Sequence, residues 1–336
     1  MMTGNDTNNR SRFSTACFAL LALVMSTAPS AQEVELKAAT PWARNFFLSR
    51  SFQGYVDKLN AAGKGVVRIN YIGGPEAVPA TEQPSALRRG VIDMFYGAAS
   101  YMLGDFPEAD ALSGGTRNPA ELRANGGYEV LDEILQKKMN AKFLANPDTG
   151  WSFILYLSRE PKRTASNNID LRDTKLRSHP LYRDFLSALG ADNLMIPAGE
   201  VFTAFERNMV QGLAFPEIGI RDLGIEKFIR YRVSPKFFQG DIVMLVNLNK
   251  WRSLPEAARK TLASLAISHE EESRKYFLEE VNREMAKLDS LGIKEIKLTG
   301  KAEEEYSAQA REVPWSRLAK ADPTNVARLK DKFIRQ

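Results

Sequence analysis

The stretch that decides the fold runs from Ile169 to Glu217 and reads IDLRDTKLRSHPLYRDFLSALGADNLMIPAGEVFTAFERNMVQGLAFPE. Strand-like and helical patterns alternate along it. The predicted elements are a strand at 174–178, a helix at 182–189, a strand at 194–196, a helix at 200–209 and a strand at 212–215. Strands that alternate with helices in this way favour parallel pairing within an α/β layer.

Two side chains of this stretch stand at strand ends. Arg177 lies near the end of its first strand and Phe215 at the end of its last. In open α/β sheets, ligands bind beyond the carboxyl ends of the strands, and the planar guanidinium fork suits a carboxylate. Most arginines at strand ends are instead solvated or paired with a surface acid. The spacing alone leaves both interpretations of Arg177 open.

Size and charge indicate a globular chain without a nucleic-acid partner. Its 336 residues are 44% apolar, which is enough for two domains of ordinary size. The net charge is only +5, and no run of lysine or arginine is longer than a pair. We therefore expect the basic residues on a solvated surface.

The N-terminus has the pattern of a secretory signal. Arg10 and Arg12 precede the apolar run 16–25, which is followed by the small residues of STAPSAQ. That order is typical of a cleaved signal peptide, and the run is too short to span a membrane. We predict a signal peptide over 1–31, with cleavage after Ser30 or Ala31, and a mature protein in the periplasm.

Common catalytic and metal-binding motifs are absent from the sequence. The one cysteine, Cys17, falls inside the predicted signal, so we expect no disulfide and no thiolate chemistry in the mature chain. HExxH, GxSxG, Walker and GxGxxG motifs do not occur. We expect His269 at the surface of a charged helix and His179 to shape the turn before Pro180. The sequence thus predicts no enzyme activity, no metal site and no cofactor.

The N-terminal part of the mature chain shows a second alternating pattern. Strands are predicted at 33–40, 66–72 and 91–96, separated by a helix that ends at Gly63 and a short helix at 84–90. This order predicts a doubly wound first domain. Trp42, Glu76 and Tyr96 stand at the strand ends and are candidates to face a cleft. Core packing is the default for the two aromatic residues.

The remaining pattern indicates how the domains are connected. A strand at 151–157 is expected to lead from the first domain into the second. A strand at 241–247 precedes a very long helical stretch with Ser253 as its N-cap. We predict lobe I over 32–152 with part of 242–336, lobe II over 153–241, and a long bracing helix with C-terminal helices over 249–336.

Five segments together resemble the solute-binding proteins of TRAP (tripartite ATP-independent periplasmic) transporters. They are ALRRGVIDM at 86–94, LRDTKLRS at 171–178, LYRDFLSALGA at 181–191, IPAGEVFTAFERNMVQGLAFP at 196–216 and VNLNKWRSLPEAARKTL at 246–262. The resemblance covers essentially the whole mature chain, and the segments come in the order that the family has.

The resemblance implies two α/β lobes around a central cleft, similar to type II periplasmic binding proteins, that close on an organic acid. In the family, the arginine at the position of Arg177 forms a bidentate salt bridge with the substrate carboxylate. Trp42, Tyr96 and Phe215 would line the pocket. The implied partners are a small carboxylate and the membrane subunits of the transporter, and we expect a monomer.

Departures from the family pattern bear on the substrate. Sialic-acid and many dicarboxylate members have Asn-Pro where this chain has Phe215-Pro216, and some have a second arginine near the position of Trp151. Aromatic residues in place of polar anchors indicate a monocarboxylate with keto, hydroxy or aromatic character. Some members bind such acids with a metal ion. Glu217 is a candidate for that role, with a surface or capping role as the alternative.

Two other functions fit the same fold. One is a periplasmic enzyme that acts on small acids, against which stands the lack of a nucleophile–base pair. The other is a ligand-sensing module that signals to a membrane receptor. Neighbouring genes for membrane subunits would distinguish transport from sensing.

Overall fold

The computed structural model describes residues 33–335. The predicted signal peptide, with Cys17 and the expected cleavage site, lies outside the described residues. The strands are β1 (Val34–Ala39), β2 (Val67–Gly73), β3 (Met94–Ala98), β4 (Ala141–Ala145), β5 (Ser152–Leu157), β6 (Lys162–Arg163), β7 (Ile169–Asp170), β8 (Lys175–Ser178), β9 (Asp192–Met195), β10 (Gly212–Pro216), β11 (Tyr231–Gln239), β12 (Ile242–Asn247) and β13 (Lys294–Lys297).

Eleven α-helices are present in the described part of the chain. They are α1 (Phe47–Ala62), α2 (Gln83–Arg89), α3 (Asp110–Gly114), α4 (Pro119–Ala124), α5 (Gly127–Met139), α6 (Arg183–Ala188), α7 (Val201–Glu206), α8 (Leu248–Ser253), α9 (Glu256–Ser290), α10 (Lys301–Ala321) and α11 (Val326–Phe333). Among residues 33–335, none of the helices combines the length and apolarity needed to cross a membrane.

The first sheet has five strands in the order β2-β1-β3-β12-β4. β1 pairs in parallel with β2 and with β3, as the alternating pattern of the N-terminal part predicts. β12 pairs antiparallel with β3 and β4. The chain therefore leaves this sheet after β4 and returns to it at β12.

The second sheet has six strands in the order β13-β11-β5-β10-β8-β9. β8 pairs in parallel with β9 and β10, which confirms the pairing predicted for the stretch 169–217. β5 runs antiparallel to β10 and β11, so this sheet is mixed as well. The α/β fold class is confirmed, while the residue boundaries of the two lobes stay a prediction.

The chain passes between the two sheets in neighbouring segments, 146–151 after β4 and 240–241 after β11. Gly240 donates its backbone N–H to the carbonyl of Trp151, with 3.3 Å between the atoms. A Cβ atom at Gly240 would lie 2.7 Å from the Trp151 ring, so only glycine allows this approach. The contact fixes Trp151 and Asp241 on adjoining segments at the junction of the sheets.

Helix α9 contacts both sheets along its 35 residues. Glu270 forms a salt bridge with Arg123 at 2.8 Å, and Arg123 also donates to the carbonyl of Leu144 in β4. Nearer the C-terminal end of α9, Asp289 pairs with Arg232 of β11 at 2.5 Å. Through these contacts the helix braces the two sheets.

The long helix begins later than the sequence predicts. Ser253 ends α8 and does not cap α9, and Pro255 holds the N-cap position. Leu254 is extended because a following proline disfavours helical backbone. α8 has its own cap, since the Asn247 side chain accepts a hydrogen bond from the backbone N–H of Lys250 at 3.0 Å.

Strand β3 also differs from prediction, and the chain turns between α4 and α5. β3 begins at Met94 because Gly90, with φ of 75°, ends α2 and the chain then turns through 91–93. α4 and α5 are separate helices because the chain turns at Gly126, whose φ is 79°. Left-handed glycines at both places end the preceding turn of helix.

A buried polar cluster joins α1, β3, α9 and the segment 146–151. The Asp148 carboxylate accepts hydrogen bonds from Ser51 Oγ at 2.6 Å and from the Tyr96 hydroxyl, and its backbone N–H donates to Ser273 Oγ at 2.8 Å. His269 Nε2 lies 3.3 Å from both hydroxyl oxygens, of Ser51 and Tyr96. The prediction that His269 is a surface residue is wrong: it is buried, and burial lowers its pKa to about 4.

Asp148 makes stability depend on pH. Burial raises its pKa to about 7, above the ordinary value of an unfolded aspartate near 4. The stabilising contribution of protonated Asp148 therefore has its full size below about pH 4. This contribution is lost as the pH rises through 7. We expect Asp148→Asn to remove this pH dependence. The free energy of unfolding of the variant, relative to that of the parent, should therefore increase between pH 4 and pH 8. Urea unfolding across this range measures the difference.

Asp173→Asn is the control, since the Asp173 side chain is exposed and pairs only with Lys162. Parallel pH profiles for the parent and Asp148→Asn would contradict the assignment.

Candidate functional site

A cavity lies where the two sheets meet, and it has two connected compartments. The inner compartment has a volume of about 50 Å³. The outer compartment has a volume of about 570 Å³. Six residues line both of them: Trp42, Phe46, Tyr101, Arg177, His179 and Ala198. The cavity thus takes side chains from both sheets, and Arg177 stands at the boundary between its compartments.

Arg177 is only 3% exposed. Its Nε donates to the carbonyl of Ile196 at 2.8 Å, and its Nη1 donates to the Tyr182 hydroxyl. No carboxylate pairs with it among residues 33–335: Asp110 pairs with Arg317, and Asp241 binds the backbone N–H of Ser100. A buried guanidinium without a counterion is costly, so this position favours an anion.

His179 and Tyr182 flank the guanidinium. The His179 ring packs edge-on against Tyr101, with 4.9 Å between centroids. Burial, helped by the nearby Arg177 and Arg317 charges, lowers the pKa of His179 to about 3, so its ring is neutral at pH 7. His179 therefore contributes a polar ring without adding a second positive charge. The sequence interpretation of His179 as a turn residue missed its place in the cavity.

The far side of the inner compartment carries Asp241, Ser100 and Trp151. Asp241 is buried and accepts the Ser100 backbone N–H at 2.7 Å, and burial raises its pKa. Trp151 Nε1 is buried and has no hydrogen-bond partner among the described residues, and the buried Ser100 hydroxyl lies beside the Asp241 carboxyl. Both residues line the inner compartment. The site therefore offers polar groups beyond the guanidinium.

Aromatic rings from the two sides of the cavity touch one another. Phe46, which precedes α1, packs edge-on against Phe215 of β10 with 6.3 Å between centroids. Trp42 lies 5.8 Å from Phe46 and 6.5 Å from Tyr101. These contacts link residues near the first sheet with β10 of the second. The inner compartment therefore has aromatic walls beside the guanidinium.

Four of the seven site residues predicted from the sequence come together at the inner compartment. They are Trp42, Trp151, Arg177 and Phe215. Their common feature is position, since each belongs to or follows a strand near the junction of the two sheets. Whether they contact a ligand stays a prediction.

Tyr96, Glu76 and Glu217 do not line either compartment. Tyr96 lies within β3, not at its end, and its hydroxyl binds Asp148. Glu76 accepts the backbone N–H of Gly74 at 2.7 Å, a local turn contact. Glu217 accepts the backbone N–H of Ser152 at 2.8 Å and pairs with Lys236 at 3.2 Å. Each of the three side chains is held by partners away from the cavity.

Several cavity residues were not predicted from the sequence: Phe46, Ser100, Tyr101, Tyr182 and Asp241. Tyr101 and Ser100 follow β3 directly, so a correct end for that strand would have selected them in place of Tyr96. Asp241 was placed inside a predicted strand, whereas the strand starts at Ile242. Tyr182 carried no separate signal.

Comparison with protein-family models matches residues 42–320 to the bacterial extracellular solute-binding proteins of family 7. The chain belongs to this family, which confirms the resemblance and with it the two-lobed fold class. A monocarboxylate 2-oxoacid-binding periplasmic protein from a Nostoc species is 23% identical over 277 residues, which cover 77% of this chain and 73% of the relative.

Two solved structures show the same fold. A TRAP transporter solute-binding protein from Bordetella bronchiseptica, with calcium and picolinate, has a TM-score of 0.77 and 21% identity, covering 90% of this chain and 91% of its own. One from Colwellia psychrerythraea, with calcium and pyruvate, has a TM-score of 0.76 and 19% identity, covering 90% and 93%. Family members and structural neighbours are thus solute-binding proteins.

The residues of this chain do not fit the calcium that both neighbours hold. Calcium takes six to eight oxygen ligands, usually with several carboxylates. The inner compartment has one carboxylate, Asp241, and no group of three histidine, cysteine, aspartate or glutamate residues suited to a metal occurs within 33–335. Glu217, which the sequence offers as a metal ligand, accepts the backbone N–H of Ser152 and pairs with Lys236. We assign no role to a metal ion.

The unpaired state of Arg177 has a measurable consequence for stability. We expect Arg177→Met to leave the free energy of unfolding of the ligand-free protein within about 1 kcal/mol of the parent, because the lost hydrogen bonds are offset by removal of a buried, unpaired charge. Chemical denaturation of ligand-free protein measures this.

Arg317→Met is the contrasting variant. Arg317 is partly buried and pairs with the buried Asp110 at 2.5 Å, so its removal strands a buried carboxylate and should cost about 3–5 kcal/mol. Equal losses in the two variants would show that Arg177 is an ordinary structural arginine.

Proposed function

We propose that this protein is the periplasmic solute receptor of a TRAP transporter and that it captures a small monocarboxylate through a salt bridge with Arg177. The observation that carries the proposal is the buried Arg177 guanidinium, which has two protein hydrogen bonds but no carboxylate partner in residues 33–335. A ligand carboxylate supplies the missing anion through charge-assisted hydrogen bonds.

The neighbours of Arg177 prepare this contact. Ile196 and Tyr182 hold two of its nitrogens, so the guanidinium is already oriented before the ligand arrives. The rings of Trp42, Phe46 and Phe215 exclude water, which strengthens the ion pair. The remaining part of the acid, with keto, hydroxy or aromatic character, is buried in the same cavity.

The family supports the rest of the proposed role. The receptor, as a monomer, carries its acid to the membrane subunits of the transporter. Turnover of the acid is not part of the proposal. The relatives named for 2-oxoacids, pyruvate and picolinate are consistent with a small carboxylate as the ligand.

Arg177→Met tests the salt bridge directly. We expect a 2-oxo or 2-hydroxy monocarboxylate at 100 times its Kd to stabilise the parent by about 2.7 kcal/mol in thermal unfolding. The variant should lose at least about 100-fold in affinity, because two charge-assisted hydrogen bonds are removed. Thermal shift and isothermal titration calorimetry measure the two effects.

Arg183→Met is the matched control, because Arg183 lies exposed on α6 and pairs only with its neighbour Asp184. It makes the same change of charge without touching the cavity. An acid that binds the parent and Arg177→Met equally well would overturn the proposed anchor.

A further inference from the structure

The two compartments differ in size and in chemistry. The inner compartment has a volume of about 50 Å³. It holds only a few water-sized groups, since each needs roughly 10–15 Å³. The outer one is more than ten times larger. A ligand whose carboxylate sits at Arg177 therefore has little room inward and ample room outward.

The outer compartment is apolar for most of its lining. Its walls include Pro75, Pro79, Met195, Pro197 and Leu223. Its surface end is open, since Met195 is 50% exposed. An apolar lining that continues from a buried cation to the surface fits a ligand with one charged end and an apolar tail.

Charge in the outer compartment argues against a second acid group on the ligand. Apart from Arg177 and His179, its acidic and basic residues are the two acids Glu200 and Asp222. Among residues 33–335, the basic residue that pairs with Asp222 is Arg50, at 3.3 Å, and Asp222 also accepts the backbone N–H of Phe47. A second carboxylate on the ligand would face these two acids, and apart from Arg177 the described residues that line the outer compartment include no lysine or arginine.

The inner compartment specifies the head of the ligand. Trp151 Nε1 is a buried donor without a partner in the described part of the chain, and the Ser100 hydroxyl lies beside the Asp241 carboxyl. A buried donor left without an acceptor costs free energy. An oxygen on the carbon next to the carboxylate is the group that such a donor would bind.

We propose that the ligand is a 2-oxo or 2-hydroxy monocarboxylate with an apolar tail of several carbons, bound with its head at Arg177 and its tail in the outer compartment. This rests on the proposed function and narrows it, because it separates the ligand from pyruvate-sized acids and from sugar acids.

Calorimetry with the mature protein and a series of 2-oxo acids tests the tail. From pyruvate through 2-oxobutyrate and 2-oxohexanoate to 2-oxooctanoate, each added methylene should raise affinity about threefold to fourfold while it stays in the cavity. The dicarboxylate 2-oxoadipate should bind at least about tenfold more weakly than 2-oxohexanoate. Hexanoate should also bind more weakly than 2-oxohexanoate.

Met195→Asn places a polar group on the wall of the outer compartment and should reduce the gain in affinity per methylene. Met209→Asn is the matched control, because Met209 is similarly exposed, at 45%, and lines neither compartment. It should leave the whole series unchanged.

The outcomes separate the two proposals. Two results would overturn the proposed apolar tail of the ligand and leave carboxylate capture by Arg177 standing. One is Arg177-dependent binding with no gain in affinity along the series, and the other is 2-oxoadipate binding as tightly as 2-oxohexanoate. The absence of binding by every acid of the series, by thermal shift and calorimetry alike, would overturn both.

Discussion

The site depends on one buried charge. The Arg177 guanidinium lies inside the protein with a carbonyl and a tyrosine hydroxyl as partners and with no acid to neutralise it among residues 33–335. Folded proteins usually pair such a charge, as this chain does for Arg317 with Asp110. An unpaired charge at the boundary of a cavity is a feature that packing alone does not explain. It supports the proposed role of Arg177 as the anchor of a ligand carboxylate.

The fold holds this charge in place by bringing the ends of separate elements together. β8 carries Arg177, and its parallel neighbour β9 leads to the Ile196 carbonyl that orients the guanidinium. Two of the segments that cross between the sheets run side by side at Trp151 and Gly240. Asp241 follows at once, so the polar far wall of the inner compartment is built at the junction itself. Any movement of one sheet relative to the other would change this compartment first.

The sequence predicted the parts of this arrangement that local pattern controls. The alternation of strands and helices over 169–217 predicted the parallel pairing of β8, β9 and β10. Arg177 and Phe215 stood at recognisable strand ends, and Trp42 followed a clear first strand. The family resemblance added the fold class and the kind of protein, and the match over residues 42–320 agrees with it.

What the sequence missed was decided by register and tertiary contact. β3 begins and ends later in the chain than the sequence predicts. Tyr96 therefore lies inside the strand, in the core beside Asp148, and Tyr101 lies at the cavity. His269 has acidic neighbours in the sequence, yet its face of α9 packs against α1 and β3. The contacts of Glu217 with Ser152 and Lys236 depend on strand pairing between distant segments, which no local pattern encodes.

A crystal structure of the mature protein with a bound 2-oxo acid tests the central claim most directly. The account predicts both carboxylate oxygens of the ligand at about 2.7–2.9 Å from the Arg177 guanidinium nitrogens, the distance of charge-assisted hydrogen bonds. A ligand bound elsewhere, or bound in this cavity with its carboxylate turned away from Arg177, would contradict it.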